Sequence, residues 1–145
     1  MNIVKSTLQF KGYRVIQARY SVNGFQSEGG DVAELKQSYT QDVRALGDNT
    51  YSLTLGVEIG TLGAEGPLPF YATVELEGRF VLSNIENADE LMKRNATSIL
   101  FPYLRSTLSA LTTIANINPV FLPTINLAQM FEDEEKREME EEPRE

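Results

Sequence analysis

A chain of 145 residues, 41% hydrophobic with a formal charge of −8, can build one domain with a real core but not two independent ones. It has neither cysteine nor histidine, which removes disulfides, thiolate nucleophiles, Cys/His zinc sites and every histidine-dependent triad, and leaves a metal only carboxylates to bind. The charge is lopsided: residues 132–145 hold nine acids against three bases, so the body is nearly neutral with scattered cations, and no nucleic-acid partner is expected.

No segment approaches the ~18–20 apolar residues that a membrane helix needs, and Met1-Asn2-Ile3-Val4-Lys5 opens without a signal-like apolar run. A cytoplasmic protein without direct membrane insertion is the expectation. Leu8 and Phe10 suit either a strand start or a surface. From Gly12 to Val22 the chain is rich in β-branched and aromatic residues and reads as a first strand. Asn23-Gly24 and Gly29-Gly30 then mark a long connection with Phe25 between them.

Glu34 to Leu46 alternates weakly, with Leu35, Tyr39 and Val43 on one side and Lys36, Ser38, Thr40, Asp42 and Arg44 on the other, which suggests a half-solvated or edge strand. Gly47-Asp48-Asn49 is a hairpin turn. Tyr51, Leu53, Leu55, Val57 and Ile59 then face one way along a third strand. Residues 60–69 form a loop by glycine and proline content. A fourth strand keeps Phe70, Ala72, Val74, Leu76, Gly78, Phe80 and Leu82 on one parity, with Gly78 marking a bend, a bulge or a close packing contact. Four strands without helical crossovers predict an antiparallel sheet with one buried face.

The cover for that face begins at Asn87, a candidate N-cap with Glu90 three residues on as in a capping box. Leu91, Asn95, Ile99 and Tyr103 recur every fourth residue, as do Leu100, Leu104 and Leu108, continuing to Leu111 and Ala115. This predicts a helix of about 28 residues, kinked near Ser98–Phe101 by Pro102. Asn116 to Thr124 cannot be helical throughout because of Pro119 and Pro123, yet it is apolar and must pack on something. A second helix starts around Ile125–Leu127 and shows Leu127, Met130 and Phe131 before charge takes over. The expected architecture is α+β: a four-stranded antiparallel sheet covered on one face by a long kinked helix, plus a second C-terminal helix. Residues 1–131 form the domain and 132–145 an acidic, disordered tail.

Catalytic machinery is not visible. Glu75 and Glu77 share a strand face and could be imagined as an acid–base pair, but a solvent-facing surface with Arg79 as neighbour is the plainer reading. No glycine-rich loop opens a helix and no carboxylate cluster has metal spacing, so neither enzyme activity nor a cofactor is expected. What stands out is surplus apolar surface: Tyr13, Tyr20, Phe25, Phe121, Leu122, Ile125, Met130 and Phe131 all need partners.

The run Phe101-Pro102-Tyr103-Leu104-Arg105, followed by a proline-bearing apolar loop and Ile125-Asn126-Leu127-Ala128-Gln129-Met130-Phe131, resembles the SecB-type export chaperones, whose hallmark is Phe-Pro-Tyr-x-Arg within a long helix. The resemblance covers about 120 residues, from the first strand to Phe131. It implies a homotetramer, a dimer of dimers, that holds unfolded polypeptide clients in apolar grooves without ATP and keeps precursors competent for export. By position it implies client contact at Phe25, Val120, Phe121, Leu122 and Ile125. Leu100, Phe101, Tyr103, Leu104, Leu108 and Leu111 would serve oligomer or helix packing. The family's first strand usually carries acids that dock the motor SecA; here Ala18 to Gln26 has none, and Glu58, Glu65, Glu75 or Glu77 would have to substitute. A SecB-like chaperone dedicated to an antitoxin of a toxin–antitoxin system is the alternative.

Overall fold

The computed structural model describes residues 7–22, 37–60, 70–83, 86–116, 122–123 and 125–141. Strands β1 (Leu8–Val22), β2 (Gln37–Gly47), β3 (Thr50–Ile59) and β4 (Phe70–Leu82) form one antiparallel sheet in the order β1-β4-β3-β2. Strands β1 and β2 are consecutive in sequence yet occupy opposite edges. The first strand begins at Leu8, four residues ahead of the pattern, because Gly12 (φ 116) absorbs a register shift between Phe10 and Gly12 that returns the strand to β4. Asp48 and Asn49 (φ 52 and 60) close the β2–β3 hairpin in the left-handed conformation that matches strand twist.

The predicted parities appear as burial. Leu53, Leu55 and Ile59 of β3, and Ala72, Val74, Leu76, Phe80 and Leu82 of β4, are fully buried on one face. A single helical stretch crosses them: α1 (Ala88–Leu91), a π-helical segment (Met92–Ala96) and α2 (Thr97–Ile114). Met92, Ala96, Leu100, Leu104 and Leu108 lie fully buried against the sheet. Each leucine so placed is worth roughly 1.5–3 kcal/mol relative to an exposed one. Gly78 proves to be a close packing contact: a Cβ there would stand 2.9 Å from the Phe80 ring and 3.3 Å from Leu100.

Two helix expectations need correction. Asn87 is itself left-handed (φ 58) and makes no side-chain cap bond, so the capping box does not form; its backbone carbonyl accepts from Leu91 N–H instead. Pro102 does not break the helix near Ser98–Phe101. It lies on the exposed side of α2, where the carbonyl of Ser98, deprived of its donor, can turn to water. The departure from α-geometry falls a turn earlier, in the π segment.

The last helix, α3 (Leu127–Glu141), runs through the charged stretch well past Phe131, supported by good helix formers and the pair Glu132–Lys136. The helical layer leaves the middle of β1 open. Tyr13 and Val15, paired with core positions Gly78 and Leu76, remain 41% and 47% exposed. Tyr103 of α2, exposed as well, stacks its ring near Phe10 (5.7 Å) and Tyr13 (4.7 Å).

Candidate functional site

The free edge of β2 and the first turns of α3 face each other across a cleft of about 400 Å³. Tyr39 supplies its strand wall; Leu127, Met130 and Phe131 supply the helix wall, with Asp133, Glu134 and Arg137 at the rim. Alternation along β2 turns Tyr39 and Gln41 inward, and the 3.6-residue period brings Leu127, Met130 and Phe131 to one side of α3. Methionine and aromatic walls adapt to varied apolar side chains, whereas the acids at the mouth favour cationic neighbours.

Helix α3 is held by a short apolar foot and a row of charges. Leu127 and Ala128 are buried, and Asn126 caps the helix, its Oδ1 accepting from Gln129 N–H at 3.0 Å. Farther along, Lys93 reaches Glu135 at 2.8 Å and Asp89 at 3.2 Å, while Arg94 reaches Glu132 at 2.9 Å. Hydrogen bonds to Glu135 and then Asp89 raise the Lys93 pKa above the usual lysine value, and Glu132 does the same for Arg94. Both cations come from the π segment. Gln41 completes that junction, its amide donating to the Lys93 carbonyl (3.0 Å) and to Thr97 Oγ1 (2.7 Å). The Lys93 carbonyl, within the π segment, thereby has a donor on β2.

At the other end, Arg105 Nε donates to the Leu122 carbonyl at 3.2 Å, with its guanidinium carbon 5.8 Å from the centre of the Phe101 ring. Phe101 in turn meets the Tyr39 ring edge-on at 6.1 Å, and the Tyr39 hydroxyl donates to Gln37 Oε1. Burial pushes the Tyr39 phenol up, and the Arg105 charge pulls it partly back.

Of the expected client contacts, Phe25, Val120 and Phe121 lie outside the described residues. Leu122 is 2% exposed and belongs to the core cluster, while Ile125 is half-buried against it. Leu100, Leu104 and Leu108 are wholly consumed by helix–sheet packing within the chain, with Phe101 nearly so and Leu111 half-buried beside them. Tyr103 alone of that set keeps a large exposed surface. Among the candidate docking acids, Glu65 lies outside the described residues. Glu58, Glu75 and Glu77 share the outer sheet face, where Glu58 accepts from the Tyr71 hydroxyl at 2.6 Å and raises that phenol's pKa. Glu77 is flanked by Arg14 (3.3 Å) and Arg79 (3.4 Å), so the imagined acid–base pair is a sheet surface with basic neighbours.

Residues 21–138 match the family described as preprotein translocase subunit SecB. The chain belongs to the SecB family. An uncharacterised protein of Methanocaldococcus jannaschii is 30% identical across 94% of this chain and 95% of its own length. The protein-export protein SecB of Magnetococcus marinus is 28% identical, and that of Xanthomonas campestris pv. campestris 32%; each aligns with 68% of this chain, but with only 66% and 58% of its own length. In fold, the chain is similar to a SecB-like chaperone of Mycobacterium tuberculosis solved in complex with a ChAD peptide from the HigA1 antitoxin. The TM-score is 0.67 at 13% identity, covering 82% of this chain and 91% of that one. As a SecB-family protein, it is a chaperone and not an enzyme. Among the described residues no helix is long and apolar enough to cross a membrane.

Three contributors to this SecB-family site escape a reading of sequence. Gln41 occupies an inward position of β2, and only its polar character there hints that a buried-side group needs a donor. Lys93 and Arg94 look like ordinary surface charges. Beyond local acids at i−4, their partners on α3, Glu135 and Glu132, lie 42 and 38 residues away, beyond the reach of any local pattern.

Proposed function

We propose that this protein is an ATP-independent holdase that binds unfolded or non-native polypeptides and keeps precursors competent for export. The observation that carries the reading is the cleft between β2 and α3, walled by Tyr39, Leu127, Met130 and Phe131 in a chain of the SecB family. Holding a client needs no bond chemistry, only desolvated apolar area at ~25 cal/mol per Å². Phe25, Val120, Phe121 and Ile125 are the further client contacts of this reading. The assembly is a cytoplasmic homotetramer, and the apolar surface around Tyr13, Val15 and Tyr103 supports self-association. Refolding of a chemically denatured model protein should slow in its presence without ATP. Unchanged kinetics at stoichiometric excess would sink the reading, and a monomeric solution mass would remove the tetramer.

A second reading, a chaperone dedicated to an antitoxin, is favoured by the outer sheet face. Arg14 and Arg19 stand on a first strand that has no acid, and Glu77 and Glu58 already have partners. Binding confined to one short antitoxin segment, with no affinity for unrelated unfolded chains, would establish it. For the export role, charge reversal at Glu58, Glu65, Glu75 or Glu77 should weaken SecA binding; no measurable SecA binding at low salt would eliminate that role.

A further inference from the structure

We infer that Arg105 is a positioning residue for the cleft: it touches no client, but ties the segment at Leu122 to α2 and thereby sets where α3 stands against β2. The inference rests on the holdase reading for its consequence and on geometry for its cause.

Leu122 is buried, so its backbone carbonyl is carried toward the core with its side chain. A carbonyl in such a place costs free energy unless it finds a donor. The following residue, Pro123, has no N–H and restricts Leu122 to extended conformations, so neither residue can join a helical ladder. Arg105 of α2, 17 residues earlier in the chain, meets that need through Nε at 3.2 Å. Its guanidinium is in turn held near the Phe101 ring, whose edge contact with Tyr39 reaches the strand wall of the cleft. One cation therefore joins three parts that no covalent or sheet bond connects: the Leu122 segment, α2 and Tyr39 of β2. Only a few residues separate Leu122 from Asn126, which caps α3, so the placement of that carbonyl is passed to Leu127, Met130 and Phe131. The Lys93 and Arg94 pairs act on a later part of α3, so its start is set by the Asn126 cap, the buried Leu127 and Ala128, and the anchor at Leu122.

The bond needs a planar, directional donor at arginine's reach: a lysine ammonium lacks the planar fork, and a glutamine amide, though planar, stands on a shorter side chain. Arg105→Gln and Arg105→Lys should therefore behave alike. The full chain would be tested with fluorescently labelled, reduced and carboxymethylated α-lactalbumin, which stays unfolded, by following its release alongside amide exchange of residues 122–131. Both variants should show about tenfold faster exchange over Leu127–Phe131 and at least fivefold faster release. The core variant Leu76→Ala, compared at an equal distance below its own melting temperature, should show neither. Release as fast in Leu76→Ala as in Arg105→Gln would overturn the inference, because the effect would then follow stability alone. So would unchanged release in the face of faster exchange, or unchanged exchange. If Arg105→Gln does not fold, Arg105→Lys carries the same comparison. Failure of the unaltered chain to bind the probe would count against the holdase reading alone, and the exchange comparison would still judge Arg105.

Discussion

Helix α2 and helix α3, of which only α3 lines the cleft, are attached to the body by different physics. Helix α2 lies on the sheet through Leu100, Leu104 and Leu108, all fully buried, with Gly78 recessed to admit Leu100. Helix α3 has a foot of Leu127 and Ala128, a half-buried Phe131, and then ion pairs with Lys93 and Arg94 that remain largely in solvent. Apolar burial makes α2 part of the structure that must persist for the domain to exist. Exposed charge pairs are typically worth under about 1 kcal/mol each, so beyond its buried foot α3 is held more weakly than α2.

The contrast can be broken most forcefully at α2. Leu104→Ala should cost about 2–5 kcal/mol of global stability, read from urea unfolding, because the deleted atoms leave a cavity between helix and sheet. Gly78→Ala should cost about 1–3 kcal/mol in the same assay, since the new methyl would press on Phe80 and Leu100. At α3 the effects shrink and become local. Asn126→Ala should remove about 1 kcal/mol of helix stability, visible as faster amide exchange in the first turns of α3 with little change in the global transition. The smallest effect is electrostatic. The Lys93 pKa lies above its ordinary value of 10.5, so its contribution is complete below that pH and is lost as pH climbs through the raised value. Exchange in α3, corrected for base catalysis, should therefore rise above about pH 10.5, and Lys93→Met should abolish that dependence. Added salt should weaken the same contacts at neutral pH.

Much of the fold could be read from the chain alone. The alternation in β4 placed all of Phe70, Ala72, Val74, Leu76, Gly78, Phe80 and Leu82 on the covered face, where the structure has them, because side-chain parity in a strand is a local property. The Leu100-Leu104-Leu108 repeat named the buried side of α2 for the same reason. Sheet order was not legible: nothing within β1 says that its neighbour is β4, since that choice is made by packing across the whole domain. The proline drew attention to the wrong turn of the helix. Pro102 sits where solvent can satisfy the carbonyl it strands, whereas the π segment rests on Gln41, a residue more than fifty positions away. For the cleft, Met130 and Phe131 stood out as apolar residues without partners and do line it. Leu122 stood out equally but was drawn into the core, where Arg105, distant in sequence, donates to its carbonyl.

The π segment at Met92–Ala96 also has a consequence for how this chain can change in length. A π turn accommodates one residue more than the α-helix around it, while the faces on either side keep their phase. Removing a single residue there would restore a plain α-helix and leave Leu100, Leu104 and Leu108 still facing the sheet. The same deletion anywhere within Thr97–Ile114 would rotate everything beyond it by about 100° and turn the buried leucines toward water. Such a deletion would still fall among the buried Met92 and Ala96 and would move the Lys93 carbonyl that now accepts from the Gln41 amide.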